Sequence, residues 1–323
     1  MFETLKSIAR VAFQGEHGAF SEAAAIQLLG EGITTVPRAT FDSAFRAIAE
    51  GAADALLAPV ENSLAGSVVR VYDLLLESNL GIVAETILPI EHHLIGCPGA
   101  TFADLKSVSS HPMALAQCER FFLAHPHLKR VPAEDTAGSV RDVLASGDKF
   151  AAGIAGRQAA TRYGGVILSE SIQDNAENFT RFVLLVPIES SDRSQSGSSV
   201  LPPSAESKAS DPKTPELTEL LAKLDARRLK QSSRVRKLSL ALRLAHKPGA
   251  LLAALEPFAR QQINLLKIES RPIHGSPWEY QFFLDVQTSD TGKLNAALRE
   301  LQTATSFLRV LGIYSPADSE PAT

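Results

Sequence analysis

The chain has 323 residues, with 32 Lys+Arg against 36 Asp+Glu for a formal net charge of −4, 45% apolar residues and two cysteines. That length holds two or three compact units, and the slightly acidic balance without a basic stripe disfavours nucleic acid as a partner. No tract of about 20 apolar residues marks a membrane span, and Cys97 and Cys118 lack the CxxC spacing of a zinc knuckle or redox pair, so two free, buried thiols are expected.

In chain order, short apolar runs alternate with helical patterns. RVAFQG precedes FSEAAAIQLLG, DALLAPV precedes SVVRVYDLLLES, and LKSVSS precedes MALAQCERFFLAH. GGVILSESI and TRFVLLVPI then read as two more buried strands. This alternation predicts an α/β domain over residues 1–189. From Ser190 to Pro215 there are nine Ser and four Pro with almost no large apolar side chain, a composition that builds no core. The spacing of Leu217, Leu220, Leu221 and Leu224 predicts a short docking helix after it, so residues 190–233 are read as a linker. Residues 234–316 follow as strand, helix, two strands, helix and strand, the ferredoxin-like βαββαβ order, with 317–323 as a tail. The start, MFETLKSIARVAF, has no secretory pattern, and a cytoplasmic location is expected.

Chemistry is expected where strands of the first domain meet helix starts: Gly15–Ser21, Glu61-Asn62-Ser63, Ser110-His111-Pro112 and Asp135–Ser139. Unpaired N–H groups at helix starts favour anions, so several converging ones would hold a small dianion. The plain structural alternative makes Ser63, Ser110 and Thr136 ordinary N-caps. Gly15 and Gly18 give GxxG, not a dinucleotide fingerprint, and no GxxxxGK[ST] occurs. His92-His93 and the pair His125 and His127 lack metal-ligand spacing; packed or solvated histidines are expected, with no metal. Asn178-Phe179-Thr180-Arg181-Phe182 places polar groups at the mouth of an apolar strand. A regular strand sends Thr180 and Arg181 to opposite faces, and the structural alternative makes Arg181 an exposed edge charge.

The stretches VAFQGEHGAFSEAA (11–24), PVENSLAGSV (59–68), SHPMALAQC (110–118), DTAGSV (135–140) and NFTRFVLL (178–185), in this order, resemble the prephenate dehydratase family. The second unit resembles the ACT regulatory domain, through Gly249-Ala250-Leu251-Leu252 and Glu269-Ser270-Arg271-Pro272. The resemblance implies a two-lobed, periplasmic-binding-protein-like catalytic domain converting prephenate to phenylpyruvate for phenylalanine biosynthesis, without a cofactor. The absence of a helical chorismate mutase segment implies a monofunctional enzyme. Thr180 would be the key catalytic residue, donating to the departing hydroxyl, with Asn62 and Gln117 positioning the ring and His111 a candidate proton source. Ser63, Ser110 and Thr136, with their backbone N–H groups, would hold the pyruvyl carboxylate, with Asn178, Arg181 and Phe182 also lining the site. Where many members read HPQ this chain has His111-Pro112-Met113; Gln117 would supply an amide from the same helical face. Phenylalanine would bind the second unit as effector, in a homodimer or homotetramer. Arogenate as the substrate is the nearest alternative; a binding protein without turnover and a regulatory amino-acid sensor are the others.

Overall fold

The computed structural model describes residues 8–188, 235–273 and 276–317. The expected linker and its docking helix lie outside the described residues. The chain divides into two compact units: the described residues up to Pro187, together with Ala317, fall in the first, and those between Ile188 and Pro316 in the second.

The first unit is α/β and two-lobed. One lobe is a sheet of β1 (Arg10–Gln14), β2 (Thr34–Arg38), β3 (Ala55–Asn62), β5 (Leu80–Pro89) and β11 (Phe179–Pro187), with the two-residue β4 (Gly66–Ser67) hung on β3. Their order is β5-β11-β3-β1-β2. β1 runs parallel to both β2 and β3, which requires crossover connections, and helices α1 (Phe20–Leu29) and α2 (Phe41–Ala49) supply them. α2 begins in a reciprocal cap: Thr40 accepts from the Ser43 amide while the Ser43 hydroxyl accepts from the Thr40 amide. α3 (Val69–Glu77) follows β4.

The second lobe carries β6 (His93–Gly96), β7 (Ser107–Ser110), β8 (Lys129–Pro132), β9 (Ala151–Ala155) and β10 (Val166–Ser169) in the order β10-β6-β9-β7-β8. Its helices are α4 (Pro112–Ala116), α5 (Glu119–Ala124), α6 (Thr136–Ser146) and α7 (Arg157–Tyr163). The chain passes between lobes twice, from β5 to β6 and back from β10 to β11. The return brings β11 in antiparallel to both β3 and β5. This is the periplasmic-binding-protein-like layout. Each lobe has its own apolar core, one around Val11, Leu57, Phe182 and Leu184, the other around Leu94, Val108, Phe122 and Ile154. The lobes approach closely at Gly18, where φ is +85° and an added Cβ would stand 2.9 Å from the backbone of Ala159 on α7.

The periodicity of MALAQCERFFLAH suggested one helix, and the structure breaks it. α4 ends at Ala116 with Gln117 as its C-cap, and α5 starts again after Cys118, because the Asp174 carboxylate from the return crossing accepts the Glu119 and Arg120 amides at 3.0 and 2.9 Å. A tertiary cap thus overrides local propensity and leaves Gln117 at the break.

The second unit is the expected βαββαβ fold: β12 (Arg236–Arg243), α8 (Ala250–Arg260), β13 (Asn264–Ile273), β14 (Ser276–Thr288), α9 (Thr291–Ala304) and β15 (Phe307–Tyr314), with sheet order β13-β14-β12-β15. Leu240, Leu242, Ala254, Phe258, Leu284 and Leu298 form its core between helices and sheet.

Candidate active site

Asn62 ends β3 and Thr180 is the second residue of β11, and the antiparallel pairing sets them opposite each other. Next to them the register shifts between Arg181 and Phe182, a bulge of the kind that re-aims side chains beside functional sites. Asn62 Oδ1 accepts the backbone amides of Leu64 at 3.0 Å and Ala65 at 2.8 Å. Backbone N–H groups only donate, so this fixes the amide's orientation. Asn62 Nδ2 must then be the donor to Asn178 Oδ1 at 2.7 Å and to Thr180 Oγ1 at 2.9 Å. With its oxygen thus committed, Asn178 donates through Nδ2 to Gln117 Oε1 at 3.2 Å.

Two consequences follow. Thr180 Oγ1 accepts from Asn62, so its own proton cannot go there and is directed to another acceptor. Gln117 turns its oxygen toward Asn178, which frees its NH2 to face away. Asn178 and Thr180 are buried, and Gln117 is half-buried at the break between α4 and α5. The amide of Asp174 donates to the Gln117 carbonyl at 2.7 Å, tying that break to the return crossing. Thr180, Asn62, Asn178 and Gln117, all singled out from sequence, therefore meet in one network that spans both lobes.

Other expected site residues take different roles. Ser63 Oγ donates to the Glu177 carbonyl at 2.9 Å and accepts from the Phe179 amide at 2.9 Å, stapling the entry to β11. Ser110, fully buried, donates its hydroxyl to the Ile154 carbonyl at 2.7 Å. The Ser63 amide also donates to the Phe179 carbonyl at 2.8 Å, so neither its hydroxyl nor its N–H is left for a carboxylate, and the Ser110 hydroxyl is likewise committed. None of the three proposed N-caps is one. α3 is preceded by Val68; α4 is capped by His111, whose Nδ1 accepts the Met113 amide at 3.2 Å; α6 is capped by Asp135, which accepts the Gly138 amide at 2.6 Å. Thr136 is the first residue of α6 and has no intrahelical acceptor for its N–H. Burial pushes the Asp135 carboxyl above its ordinary value. Met113 is 49% exposed and supplies nothing to the network.

Arg181 is corrected twice. It points away from Thr180, as strand alternation requires, and it is no exposed edge charge. Its side chain is buried between Glu85 at 3.1 Å and Glu61 at 3.3 Å. Phe182, 2% exposed, belongs to the apolar core beside Leu57 and Leu184, so it packs the lobe and does not line the site.

His92 is a packed histidine, one of the two states expected for it, but nothing in the sequence marked it as part of this site. It lies in the first crossing, 2% exposed, with Nε2 2.9 Å from Gln117 Oε1. Its place before a strand-opening His93 carries no periodic signal that could have marked it. Burial lowers the pKa of both His92 and His93.

In the second unit, Gly249 has φ +80° and leads into α8, whose Ala250 and Leu251 line a cavity with Leu244, His246, Tyr280 and Phe282. Leu252 is 72% exposed, and Glu269, Ser270, Arg271 and Pro272 lie on β13, outside this cavity. The structure thus brings together only part of the expected effector set.

A hydroxyl and three amides joined between two α/β lobes, followed by a βαββαβ unit, define a small-molecule enzyme carrying a regulatory-type module. Residues 11–189 match the family model described as prephenate dehydratase, and residues 239–302 match the ACT domain. The chain belongs to the prephenate dehydratase family; it is a dehydratase of aromatic amino-acid biosynthesis, a carbon–oxygen lyase. Arogenate dehydratase/prephenate dehydratase 2, chloroplastic, of Arabidopsis thaliana is 37% identical over 96% of this chain and 73% of its own length. The solved prephenate dehydratase of Arthrobacter aurescens in complex with L-Phe is 29% identical, with a TM-score of 0.75 over 98% of this chain and 92% of that one. GqqA, described as a quorum quenching acylase, is 31% identical with a TM-score of 0.76, covering 96% of this chain and 98% of that one. The expected cytoplasmic location is corrected by the relatives, since this and two further Arabidopsis thaliana relatives are named chloroplastic. The cytoplasmic reading rested on a missing secretory pattern, which does not bear on plastid targeting.

Proposed function

We propose that the enzyme converts prephenate to phenylpyruvate, carbon dioxide and water, with Thr180 donating a hydrogen bond to the departing ring hydroxyl. The observation that carries this reading is the fixed direction of the Asn62-to-Thr180 hydrogen bond, which aims the Thr180 proton away from the protein's own amide. In the reaction the bond to the ring carboxylate breaks, its electron pair enters the ring, and the carbon–oxygen bond opposite breaks as the ring becomes aromatic. The hydroxyl leaves with its electron pair and takes up one proton to become water. Aromatisation drives the step, so the enzyme's task is orientation and stabilisation of the leaving oxygen.

The network itself is neutral: a hydroxyl and three amides. A ring carboxylate held against it meets no cation from the network, which favours its loss as carbon dioxide. Amides do not relay protons, so Thr180 acts as a hydrogen-bond donor and the proton comes from outside this chain of groups. His111 is poorly suited to be that source, because protonating Nδ1 removes the acceptor of the Met113 amide and uncaps α4. Gln117, through its free NH2, positions the substrate ring. With Ser63 and Ser110 committed elsewhere, the pyruvyl carboxylate is assigned to the N–H groups of Thr136 and Ala137 at the start of α6.

The acylase likeness does not displace this reading. A threonine nucleophile needs a base to take its proton, whereas the partner of Thr180 is an amide donor. Arogenate is the second reading, favoured by relatives that carry both substrate names. Phenylalanine is the proposed effector, a reading supported by the L-Phe complex of the Arthrobacter aurescens enzyme; the cavity of the second unit is its proposed site and a homodimer or homotetramer the proposed assembly. The test is parallel turnover of pure prephenate and pure arogenate, reading phenylpyruvate and phenylalanine separately, with and without added phenylalanine. Faster turnover of prephenate, slowed by phenylalanine, is expected; preference for arogenate changes the substrate, and no turnover of either overturns the reading.

A further inference from the structure

We infer that His92 is a positioning residue for this site: its imidazole, protonated at Nε2 and bare at Nδ1, holds the Gln117 amide with its NH2 toward substrate. The inference rests on the dehydratase reading for its effect on rate, though not for the tautomer itself.

Two backbone amides fix every orientation that follows. Leu64 and Ala65 can only donate, so Asn62 Oδ1 accepts and its Nδ2 donates. Asn178 must then accept through Oδ1 and donate through Nδ2, which obliges Gln117 to present Oε1. An oxygen facing His92 Nε2 at 2.9 Å requires a hydrogen on that nitrogen. Each side chain in the series has one allowed orientation, and His92 ends it.

The other side of the ring supports the same state. Nδ1 is sealed from solvent and has no hydrogen-bond partner among the described residues. A proton there would be a buried orphan donor, whereas a bare nitrogen is a weaker demand on its surroundings. The Phe20 ring packs against the imidazole edge-on, with centroids 5.8 Å apart. Burial also disfavours the charged ring. The backbone is held equally firmly, since the His92 amide donates to Gln173 Oε1 at 2.9 Å and its carbonyl accepts the Ile172 amide at 2.8 Å. Both interlobe crossings are therefore joined at this residue, and the joint sets the rotamer of a group that faces substrate.

Without His92, Gln117 Oε1 keeps only the longer bond to Asn178, and the amide is free to turn its oxygen toward the substrate. Ground-state binding uses many contacts, but the orientation of one amide matters most at the reacting centre, so the loss should fall on kcat. The experiment has two arms. On wild-type protein labelled with 15N histidine, long-range 15N–1H correlation at neutral pH should show the His92 ring as the Nε2–H tautomer. In kinetics, His92→Phe should lower kcat about 10-fold or more with KM within about threefold, while His92→Gln, whose Nε2 falls near the imidazole Nε2, should recover most of the lost rate. A proton on Nδ1, or a His92→Gln variant no better than His92→Phe at equal thermal stability, overturns the inference. The tautomer is read whether or not prephenate is turned over, so failure of this inference is distinguishable from failure of the dehydratase reading.

Discussion

Asn62 Nδ2 donates to Thr180 Oγ1 across 2.9 Å, and the direction of that bond is set by two backbone amides on the far side of the same side chain. Replacing Asn62 by Asp keeps the acceptor for Leu64 and Ala65 but puts a second oxygen where Nδ2 stood. That oxygen repels Asn178 Oδ1 and accepts the Thr180 proton, turning it away from the substrate. Asn62→Asp is expected to lower kcat by about 10²-fold or more, the worth of a positioned donor at a developing negative oxygen. Steady-state kinetics beside Asn62→Ala checks it; an Asp variant clearly faster than the Ala variant contradicts the assigned direction.

Arg181 offers a contrasting case one residue away. Buried between Glu85 and Glu61, it should matter for folding and not for substrate binding. Arg181→Met leaves the Glu85 carboxylate without this cation in the interior and is expected to destabilise the first unit by about 3 kcal/mol. Thermal melts read the loss, and KM of the folded fraction should stay near the wild-type value. A large rise in KM with an unchanged melting temperature would return Arg181 to the site.

Acid sensitivity should report on the loop at the start of α1. Burial pushes the Glu22 carboxyl up, but hydrogen bonds from Thr35, the Gly18 amide and His17 outweigh it and its pKa lies below the ordinary 4.5. A carboxylate depressed on folding contributes stability that is present above its unfolded pKa and lost as pH falls through the folded one. Glu22→Gln should therefore be less stable than wild type at neutral pH, with the gap narrowing as pH drops below about 4.5. Melting curves of the pair from pH 7 downward test this, and a gap that stays constant with pH contradicts it.

The two cysteines are buried and free, and burial pushes the Cys118 thiol up to about 12. Since the thiolate is the reactive form, Cys118 should resist alkylation in the native protein at pH 8 and react once denaturant is added. Mass spectrometry after iodoacetamide labelling gives the answer; rapid native labelling of Cys118 would mean that the second lobe opens locally around α5.

Asn62, Asn178 and Thr180 were legible because they sit where strands begin or end, whereas Gln117 came only with the family resemblance. The apolar run from Phe182 to Val186 behind Asn178, Thr180 and Arg181 places Thr180 at a strand mouth, and the side-to-side alternation of any strand separates it from Arg181. What the pattern could not give was the destination of the opposite face: a half-buried surface and a buried ion pair look alike until Glu85 and Glu61 arrive from other strands. The caps failed for a related reason. Ser63, Ser110 and Thr136 are suitable cap residues, but Asp135 and His111 stand at the actual helix starts, and long-range acceptors at Glu177 and Ile154 take the two serine hydroxyls. The break at Gln117 was likewise invisible locally, since it depends on Asp174, more than 50 residues away. The order of elements in the second unit needed no such long-range information and was read correctly from periodicity alone.

Donation by the Thr180 hydroxyl to the leaving oxygen is read by comparing Thr180→Ala with Thr180→Ser on the better of prephenate and arogenate. Thr180→Ala should lose about 10²- to 10⁴-fold in kcat with a modest change in KM, while Thr180→Ser, which keeps the donor, should retain most of the rate. A Thr180→Ala enzyme within about threefold of wild type, or a Ser variant as slow as the Ala variant at equal stability, would contradict the account.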